Sequence, residues 1–540
     1  MNMKRIALFL IYLLPSAFSL LPMAAQPLNS IYENNSLVSF DRYVYKPDSI
    51  FHTSIRPYLV GDLVKKFNYD SVYGSYMIKR FAGRKAMNLI FNRNLIVLDE
   101  KDYGFTIDPL FDWGAGYDFK NKRNTWINTR GIIFKGYITR NVDFSTTFYE
   151  TQSKVPLWIS EYAGLRGIMP GQGRVKAFGS DAFDYANASG YISWSPSRYF
   201  NFQLGHGKQF YGDGYRSLIL SDFSIYHPYF AFTTDFWKIK YQVMYSQFSH
   251  PDQVLYNTSG DPVYSRKFST MHILSYSPSK RWEISLFEAV IWQPSDSNVN
   301  RGFDFNYLDP VIMLRPLEFN EGSGDNELLA FNLRYTPFKS TVLYGQLLFD
   351  EFKYKEMISG KGWAGNKYAW QLGIISFDVA EIEGLNLQAE FNLIRPYTYS
   401  HYTLVENYSN GKEPLAHPSG ANIKELVAIA KYNWKRVYFN AKYVWSAGGI
   451  DSAGINYGRN IFLNYLSAPN EYHNYTTQGL YTTLNQFDFT ISYLLNPSTD
   501  ANFFIGATLR REKNAKENLR YSYFSFGFRT SLRNLYYDFF

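Results

Sequence analysis

The sequence predicts an all-β membrane protein, an antiparallel transmembrane β-barrel of about 18 strands with a small, partly helical N-terminal segment. Three observations predict it. Polarity alternates residue by residue in runs of about ten, the connections between runs are short and long in turn, and aromatics make up 19% of a chain whose mean hydropathy is only −0.29. Transmembrane barrels combine an apolar lipid-facing row, a polar lumen-facing row and aromatic girdles at both interfaces, so they are rich in Tyr and Phe without being hydrophobic on average.

The alternation is cleanest at 487–495, where Phe487, Phe489, Ile491, Tyr493 and Leu495 share one face and Asp488, Thr490 and Ser492 the other. At 385–393, Leu385, Leu387, Ala389, Phe391 and Leu393 oppose Asn386, Gln388, Glu390 and Asn392. At 329–336, Leu329, Phe331, Leu333 and Tyr335 oppose Asn332, Arg334 and Thr336. A period of two held over this length means strands with chemically different faces. The first strand is expected near Phe105 to Trp113 and the last near Tyr521 to Thr530, where Phe524, Phe526 and Phe528 alternate with Ser525, Gly527 and Arg529.

Tight turns recur at Ser195-Pro196-Ser197-Arg198, Ser277-Pro278-Ser279-Lys280, Thr336-Pro337-Phe338-Lys339 and Asn496-Pro497-Ser498-Thr499. Proline cannot donate to a strand ladder and belongs at such turns. Between these hairpins lie long connections at 151–182, 209–228, 249–268, 294–326, 351–367, 395–423 and 447–483. Segregation of loop length by end is the barrel's signature, with short periplasmic turns and long external loops. It places both termini in the periplasm, Asn257, Asn410 and Asn456 at the cell surface, and Ser197 and Ser498 away from it.

Residues 1–25 read as a signal peptide: Lys4 and Arg5 precede the apolar run Ile6 to Leu14, and Ala24-Ala25 offers small residues for cleavage. Residues 26–102 alternate poorly and carry helix-compatible stretches at Gly61 to Phe67 and Arg84 to Asn92, so they are expected to form a periplasmic or barrel-plugging segment. Residues 103–540 form the barrel with its long loops. Export and barrel pattern together place the chain in a bacterial outer membrane, with the lipid bilayer as its first partner. The terminal Phe540 resembles the aromatic signal read by barrel assembly machinery.

The chain has no cysteine, which excludes disulfides, zinc-thiolate sites and cysteine nucleophiles. Its formal net charge of +8 is a mild positive excess, compatible with an acidic polymer partner; without a basic stripe it does not suggest nucleic acid. No cofactor motif is present, and no His/Asp cluster has ligand spacing for a metal.

Several stretches are more particular than barrel physics requires: GHGKQFYGDGYRSLILSD (205–222), NYLDPVIMLRPLEFNEGSGDNELLA (306–330), LYGQLLFDEFK (343–353), NLIRPYTYSH (392–401) and LAHPSGAN (415–422). Together they resemble the outer-membrane barrel family that includes the capsule-assembly protein Wzi and the Bacteroidota gliding-motility protein RemB, most closely its RemB side. The resemblance runs from about residue 50 to residue 540. It implies a barrel closed at its periplasmic end by helical elements, no enzymatic activity, and a role in holding capsular or exopolysaccharide or in gliding and adhesion. Gliding or secretion components are then partners as well.

Within 205–222, the glycines lack phosphate-loop spacing. Lys208, Asp213, Arg216 and Asp222 could bind a sugar and its carboxylates, or form an ion-pair network that holds the loop inside the barrel. Arg315, Glu318, Asp325 and Asn326 are the other candidates for glycan contact at the mouth. Against these stand two other readings. A barrel of this size conducts unless loops or a plug fill it, which makes a porin-like channel the alternative. His417-Pro418-Ser419 raises a hydrolase, but Pro418 breaks any strand that would aim the serine at its base. Carboxylate pairs such as Asp350-Glu351 and Glu381-Glu383 invite a glycosidase reading; lumen carboxylates Glu390 and Asp488 balanced by Arg334, Lys442 and Arg529 are the simpler one.

Overall fold

A computed structural model describes residues 28–30, 36–139, 141–256, 262–295, 302–314, 316, 324–530 and 534–540. The expected signal segment 1–25 lies outside the described residues, as do Asn257, Arg315 and Glu318. Eighteen antiparallel strands close a barrel. In chain order they are β1 (Tyr103–Asp118), β2 (Arg123–Ile138), β3 (Val142–Lys154), β4 (Ala182–Ser197), β5 (Phe200–Gly207) and β6 (His227–Phe236). There follow β7 (Ile239–Tyr256), β8 (Pro262–Ser279), β9 (Trp282–Trp292), β10 (Asn326–Phe338), β11 (Thr341–Glu351) and β12 (Lys367–Ser376). The last six are β13 (Leu385–Ile394), β14 (Ile423–Trp434), β15 (Val437–Ile450), β16 (Leu480–Asn496), β17 (Ala501–Lys513) and β18 (Asn518–Arg529). Each strand pairs with its sequence neighbour, and β18 returns to β1 in the register Phe528↔Trp113 and Phe524↔Tyr117. Closure leaves no open sheet edge in the wall, which a lipid environment demands because it cannot satisfy free N–H and C=O groups.

The face assignments from alternation hold. Phe487 (42%), Phe331 (42%), Leu333 (42%) and Phe526 (53%) are exposed on the outer wall, whereas Asn332, Arg334, Glu390 and Asn392 are buried inward. Among the described residues no helix is long and apolar enough to cross a membrane. The strands do that work, and the outward row from Ile132 and Phe148 to Leu372 and Ile505 supplies the apolar surface a bilayer would cover.

One end of the barrel carries turns of two to four residues, apart from 377–384 between β12 and β13. The other carries 155–181, 208–226, 293–325, 352–366, 395–422 and 451–479. One expected long connection differs: 249–268 is mostly ladder, with Ser249 paired to Arg266 and His250 to Ser265. The alternation that marks a strand is imposed by the bilayer, so a hairpin projecting past it keeps its backbone pairing while its side-chain pattern lapses. One of the expected surface positions is also corrected. Asn410 is buried at 2% exposure, because loop 395–422 folds inward and its Nδ2 donates to the Ile225 carbonyl, whereas Asn456 stays in the outer loop 451–479 with only its side chain buried, at 6%, donating to the Asn464 carbonyl.

Among its described residues, the N-terminal segment covers the short-turn end with four helices, α1 (Asp41–Val44), α2 (Val60–Lys66), α3 (Tyr69–Ser75) and α4 (Lys85–Asn92). Two fall on the helix-compatible stretches read from sequence. Ionic and hydrogen-bond pegs fix them to the turns: Arg42 to Asp378 at 3.0 Å, Asp62 to Lys240 at 2.9 Å, and Tyr73 to Ser498 at 3.1 Å.

Candidate functional site

An 18-strand barrel is wide enough to leave an aqueous channel unless something occupies it. Four segments do so here: 51–58, 209–224, 396–422 and 534–540, nearly all of whose residues are buried. Ile55 and Arg56 pair as a two-residue strand with Tyr211 and Phe210, so the segment before the barrel meets the loop after β5 inside it. Leu218, Ile219, Leu220, Tyr399, Tyr408 and Leu415 then form an apolar core against inward residues of β6 to β14, among them Met244, Ile273, Ala289 and Leu348. The wall opposite these segments is apolar because it faces packed protein; elsewhere the lumen face stays polar.

Three of the candidates of the 205–222 stretch, Asp213, Arg216 and Asp222, lie in this plug, and Lys208 stands half-buried at its edge. Arg216 is sealed from solvent; its Nε stands 3.2 Å from Glu425 on β14, and its Nη1 lies 3.2 Å from Asp538. The backbone N–H groups of Tyr215 and Arg216 donate to Glu390 on β13 at 2.8 and 3.1 Å. Asp538 also accepts from the Tyr215 hydroxyl at 2.8 Å and from Lys442 on β15 at 2.7 Å. Burial would raise the pKa of Asp538, but Arg216 and Lys442 outweigh it and hold the carboxyl below the usual aspartate range.

Asp213 accepts from the Tyr45 hydroxyl at 3.0 Å and from Asn332 at 3.3 Å, and also from Thr53. Burial, with the nearby Glu283 charge, pushes its carboxyl above the usual range. Asp222 accepts from Asn534 and the Tyr536 hydroxyl, both at 2.6 Å, while Lys208 donates to the carbonyls of Gly171 at 2.6 Å and Asp222 at 2.9 Å. Asp213, Arg216 and Asp222 are therefore buried fasteners between loop, wall and the segment after β18. Asp325 accepts from Tyr307 at 2.6 Å, and Asn326 donates to the Glu406 carbonyl at 2.8 Å, so these two tie the start of β10 to Tyr307 and to the loop 395–422.

Some anchors had weak sequence signals. Glu283 on β9 accepts from the backbone N–H groups of Thr53 and Ser54 at 2.8 and 3.1 Å and pairs with Arg334 at 3.2 Å. Its signal is a carboxylate on the lumen face of the alternating run 282–287. Arg334 thus meets Glu283, while Glu390 is satisfied by backbone, Tyr344 and Asn392. Lys442 does meet Asp488, at 3.5 Å. Asp538 had no signal, because nothing in an aromatic-rich sequence end says that it turns back into the lumen. Phe540 stands beyond the end of β18 at Arg529, with the Arg459 guanidinium 4.7 Å from its ring centre.

His417 and Ser419 do not form a nucleophile–base pair. The imidazole Nε2 lies 3.0 Å from Glu425, and Nδ1 accepts the backbone N–H of Ser419 at 3.2 Å, which leaves the serine hydroxyl off the ring.

At the long-loop end, loops 352–366 and 451–479 are knitted by backbone bonds from Ala364 to Glu471, His473 to Lys361 and Asn474 to Gly362, at 2.8 to 2.9 Å. This rim exposes Tyr354 (68%) and Tyr475 (52%), loop 395–422 adds Tyr402 (40%) beside it, and Lys353 Nζ lies 4.5 Å from the centre of the Trp363 ring.

No protein-family model matches the chain, and no curated protein matches it in sequence. Among solved structures, the chain is similar to Wzi of Escherichia coli, described as an outer-membrane protein involved in group 1 capsule assembly and a carbohydrate-binding β-barrel. The identity is 13%, the TM-score is 0.54, and the match covers 94% of this chain and 100% of that one. OprD of Pseudomonas aeruginosa matches at 10% identity and TM-score 0.42 over 79% of this chain and 94% of that one. OccAB2 of Acinetobacter baumannii matches at 9% and 0.42 over 79% and 97%. The likeness to Wzi concerns the fold, which is that of an outer-membrane barrel.

Proposed function

We propose that this protein is a non-enzymatic outer-membrane surface protein that holds an acidic capsular or exopolysaccharide, or supports gliding adhesion, through its long-loop end. The observation that carries the reading is the occupied lumen. A solute channel has no use for four chain segments tied into its bore by Arg216, Glu390, Glu283 and Asp538. What remains for function is the outer rim, where Tyr354, Tyr402 and Tyr475 offer flat faces to sugar rings and Lys353 a cation to uronates. The likeness to a carbohydrate-binding barrel and the sequence resemblance to the Wzi/RemB family point the same way. In this reading the short-turn end faces the periplasm, residues 1–25 are removed on export, and gliding or secretion components meet the chain from that side or at the rim.

The test is a deletion strain scored for retained surface polysaccharide and for spreading on agar, complemented with wild type or with Tyr354→Ala/Tyr402→Ala/Tyr475→Ala. Restoration by wild type but not by a normally folded triple variant is expected. Unchanged polysaccharide and spreading in the deletion strain would overturn the proposal.

A further inference from the structure

The apolar outer row of the wall is interrupted on β7 to β9. Thr270 and His272 on β8 and Glu288 on β9 alternate with the lumen-facing Met271, Ile273, Phe287 and Ala289, so their side chains point away from the lumen. They are nonetheless only 0 to 2% exposed, as are Val243, Val290 and Trp292 of the same outer patch, whereas Ile284 and Phe331 beside it are exposed at 44% and 42%. What covers the patch is 302–314, part of the loop between β9 and β10, which leaves the long-loop end and lies down the outside of the barrel. Phe303 and Tyr307 pack on Trp292, with ring centres 5.7 and 4.7 Å away, and Leu314 joins the same cluster.

The polar groups of the patch bond this segment's backbone. The Glu288 carboxylate accepts the N–H groups of Met313 and Leu314 at 2.9 and 2.8 Å. The hydroxyls of Tyr241, Tyr245 and Thr270 donate to the carbonyls of Pro310, Leu308 and Tyr307 at 2.8, 3.1 and 2.9 Å. Asp304 and Asp309 turn back onto the N–H groups of Asn306 and Val311. A loop in water has solvent for such groups, but at membrane depth non-helical backbone is tolerated only where protein satisfies it. Conversely, a carboxylate and an imidazole bare on a lipid-facing wall would be costly. The depth agrees. Glu288 pairs across the sheet with His272 and Leu329 and lies about seven residues along β9 from the β8–β9 turn. At about 3.3 Å per residue and a tilt of about 40°, it stands roughly 18 Å above the short-turn end, inside an apolar band about 25 Å tall.

Of the six residues of 302–314 that stay exposed, five are apolar: Phe305, Leu308, Pro310, Val311 and Met313. They carry the outer apolar surface across the patch that the segment covers. We propose that 302–314 is a lipid-embedded flap, a loop of the barrel mouth laid between the wall and the acyl chains of the leaflet on the long-loop side. Glu288 and the three hydroxyls hold it down, and Phe305, Leu308, Val311 and Met313 contact lipid. Its outer face meets hydrocarbon because it is continuous with the lipid-facing wall beside it. The flap does not depend on what the rim binds.

The chain has no cysteine, so a single reporter can be placed cleanly. Val311→Cys is labelled with bimane in denaturant, and the full chain is refolded into dioleoylphosphatidylcholine vesicles with or without a phosphatidylcholine bearing a doxyl group midway along one acyl chain. Tyr475→Cys on the rim is the aqueous control. The doxyl lipid should quench the Val311 label and iodide should not, with the reverse at Tyr475. Glu288→Leu removes the acceptor of the Met313 and Leu314 N–H groups and should release the flap, so that lipid quenching is lost and iodide quenching gained. Heat-modifiable mobility checks the fold of each variant; if Glu288→Leu does not fold, Tyr241→Phe combined with Tyr245→Phe takes its place with the same expected loss. Iodide quenching of the Val311 label with the flap anchors intact, protection from both quenchers by a second chain over the patch, or lipid quenching unchanged in the folded release variants would overturn the proposal.

Discussion

Arg216, in the loop after β5, and Glu425, on β14, meet at 3.2 Å with their side chains at 1% and 0% exposure. The pair joins a plug segment to the barrel wall across the lumen, and Asp538 lies 3.2 Å from the same guanidinium. A single side chain thus fastens three separate parts of the chain.

Removal of that cation should be costly. Arg216→Ala leaves Glu425 and Asp538 facing each other without compensation, and breaking a buried pair in this way costs about 3–5 kcal/mol. Urea unfolding in detergent, read by heat-modifiable mobility, should show the loss, whereas exposed Lys353→Ala should change stability by less than about 0.5 kcal/mol. Equal behaviour of the two would show that Arg216 does not fasten the plug.

The two faces of β16 should respond unequally to charge. Phe489 lies mid-strand on the outer row and Thr490 on the lumen row. Phe489→Arg should cost about 2–4 kcal/mol near the bilayer midplane, and Thr490→Arg much less. Refolding yield into vesicles measures both, and matched losses would reverse the face assignment.

The loop 395–422 should loosen as pH rises. Glu413 is buried there and accepts the Gly171 N–H at 2.8 Å. Burial raises its pKa above the ordinary 4.5 of a glutamate, more than Lys208 and Arg166 lower it. The folded state therefore holds the proton that the unfolded state gives up, so its contribution to stability is full below about pH 4.5 and is lost as pH climbs through the raised value. The hydrogen-exchange protection of 405–422, after division by the intrinsic base-catalysed rate, should fall over that range in wild type and stay flat in Glu413→Gln. A pH-independent protection factor in wild type would refute the assignment.

The N-terminal segment should depend on one carboxylate. Glu283 receives the N–H groups of both Thr53 and Ser54. Glu283→Ala removes these acceptors and strands Arg334, so 51–58 should leave the lumen and become open to protease in detergent. Continued protection of that segment would place its anchorage elsewhere.

The wall was legible in the sequence because the bilayer imposes a rule on every residue of a strand, as the row Phe487, Phe489, Ile491 against Asp488, Thr490, Ser492 illustrates. The plug was not. Whether Arg216 faces a sugar or Glu425 depends on where a loop of the same composition folds, and its partners lie 209 and 322 residues away, at Glu425 and Asp538. The pairing of Ile55 with Tyr211 has no local pattern at all. The reading of 249–268 as a loop failed for a related reason: beyond the bilayer, backbone pairing continues without a periodic side-chain record.

The central claim, that the bore is occupied rather than open, is tested most directly by single-channel recording of the purified protein in planar bilayers. The wild type should insert and show no steady conductance, while a variant lacking 209–224 should open a large ohmic pore. A stable open conductance in the wild type, equal to that of the deletion variant, would contradict the account.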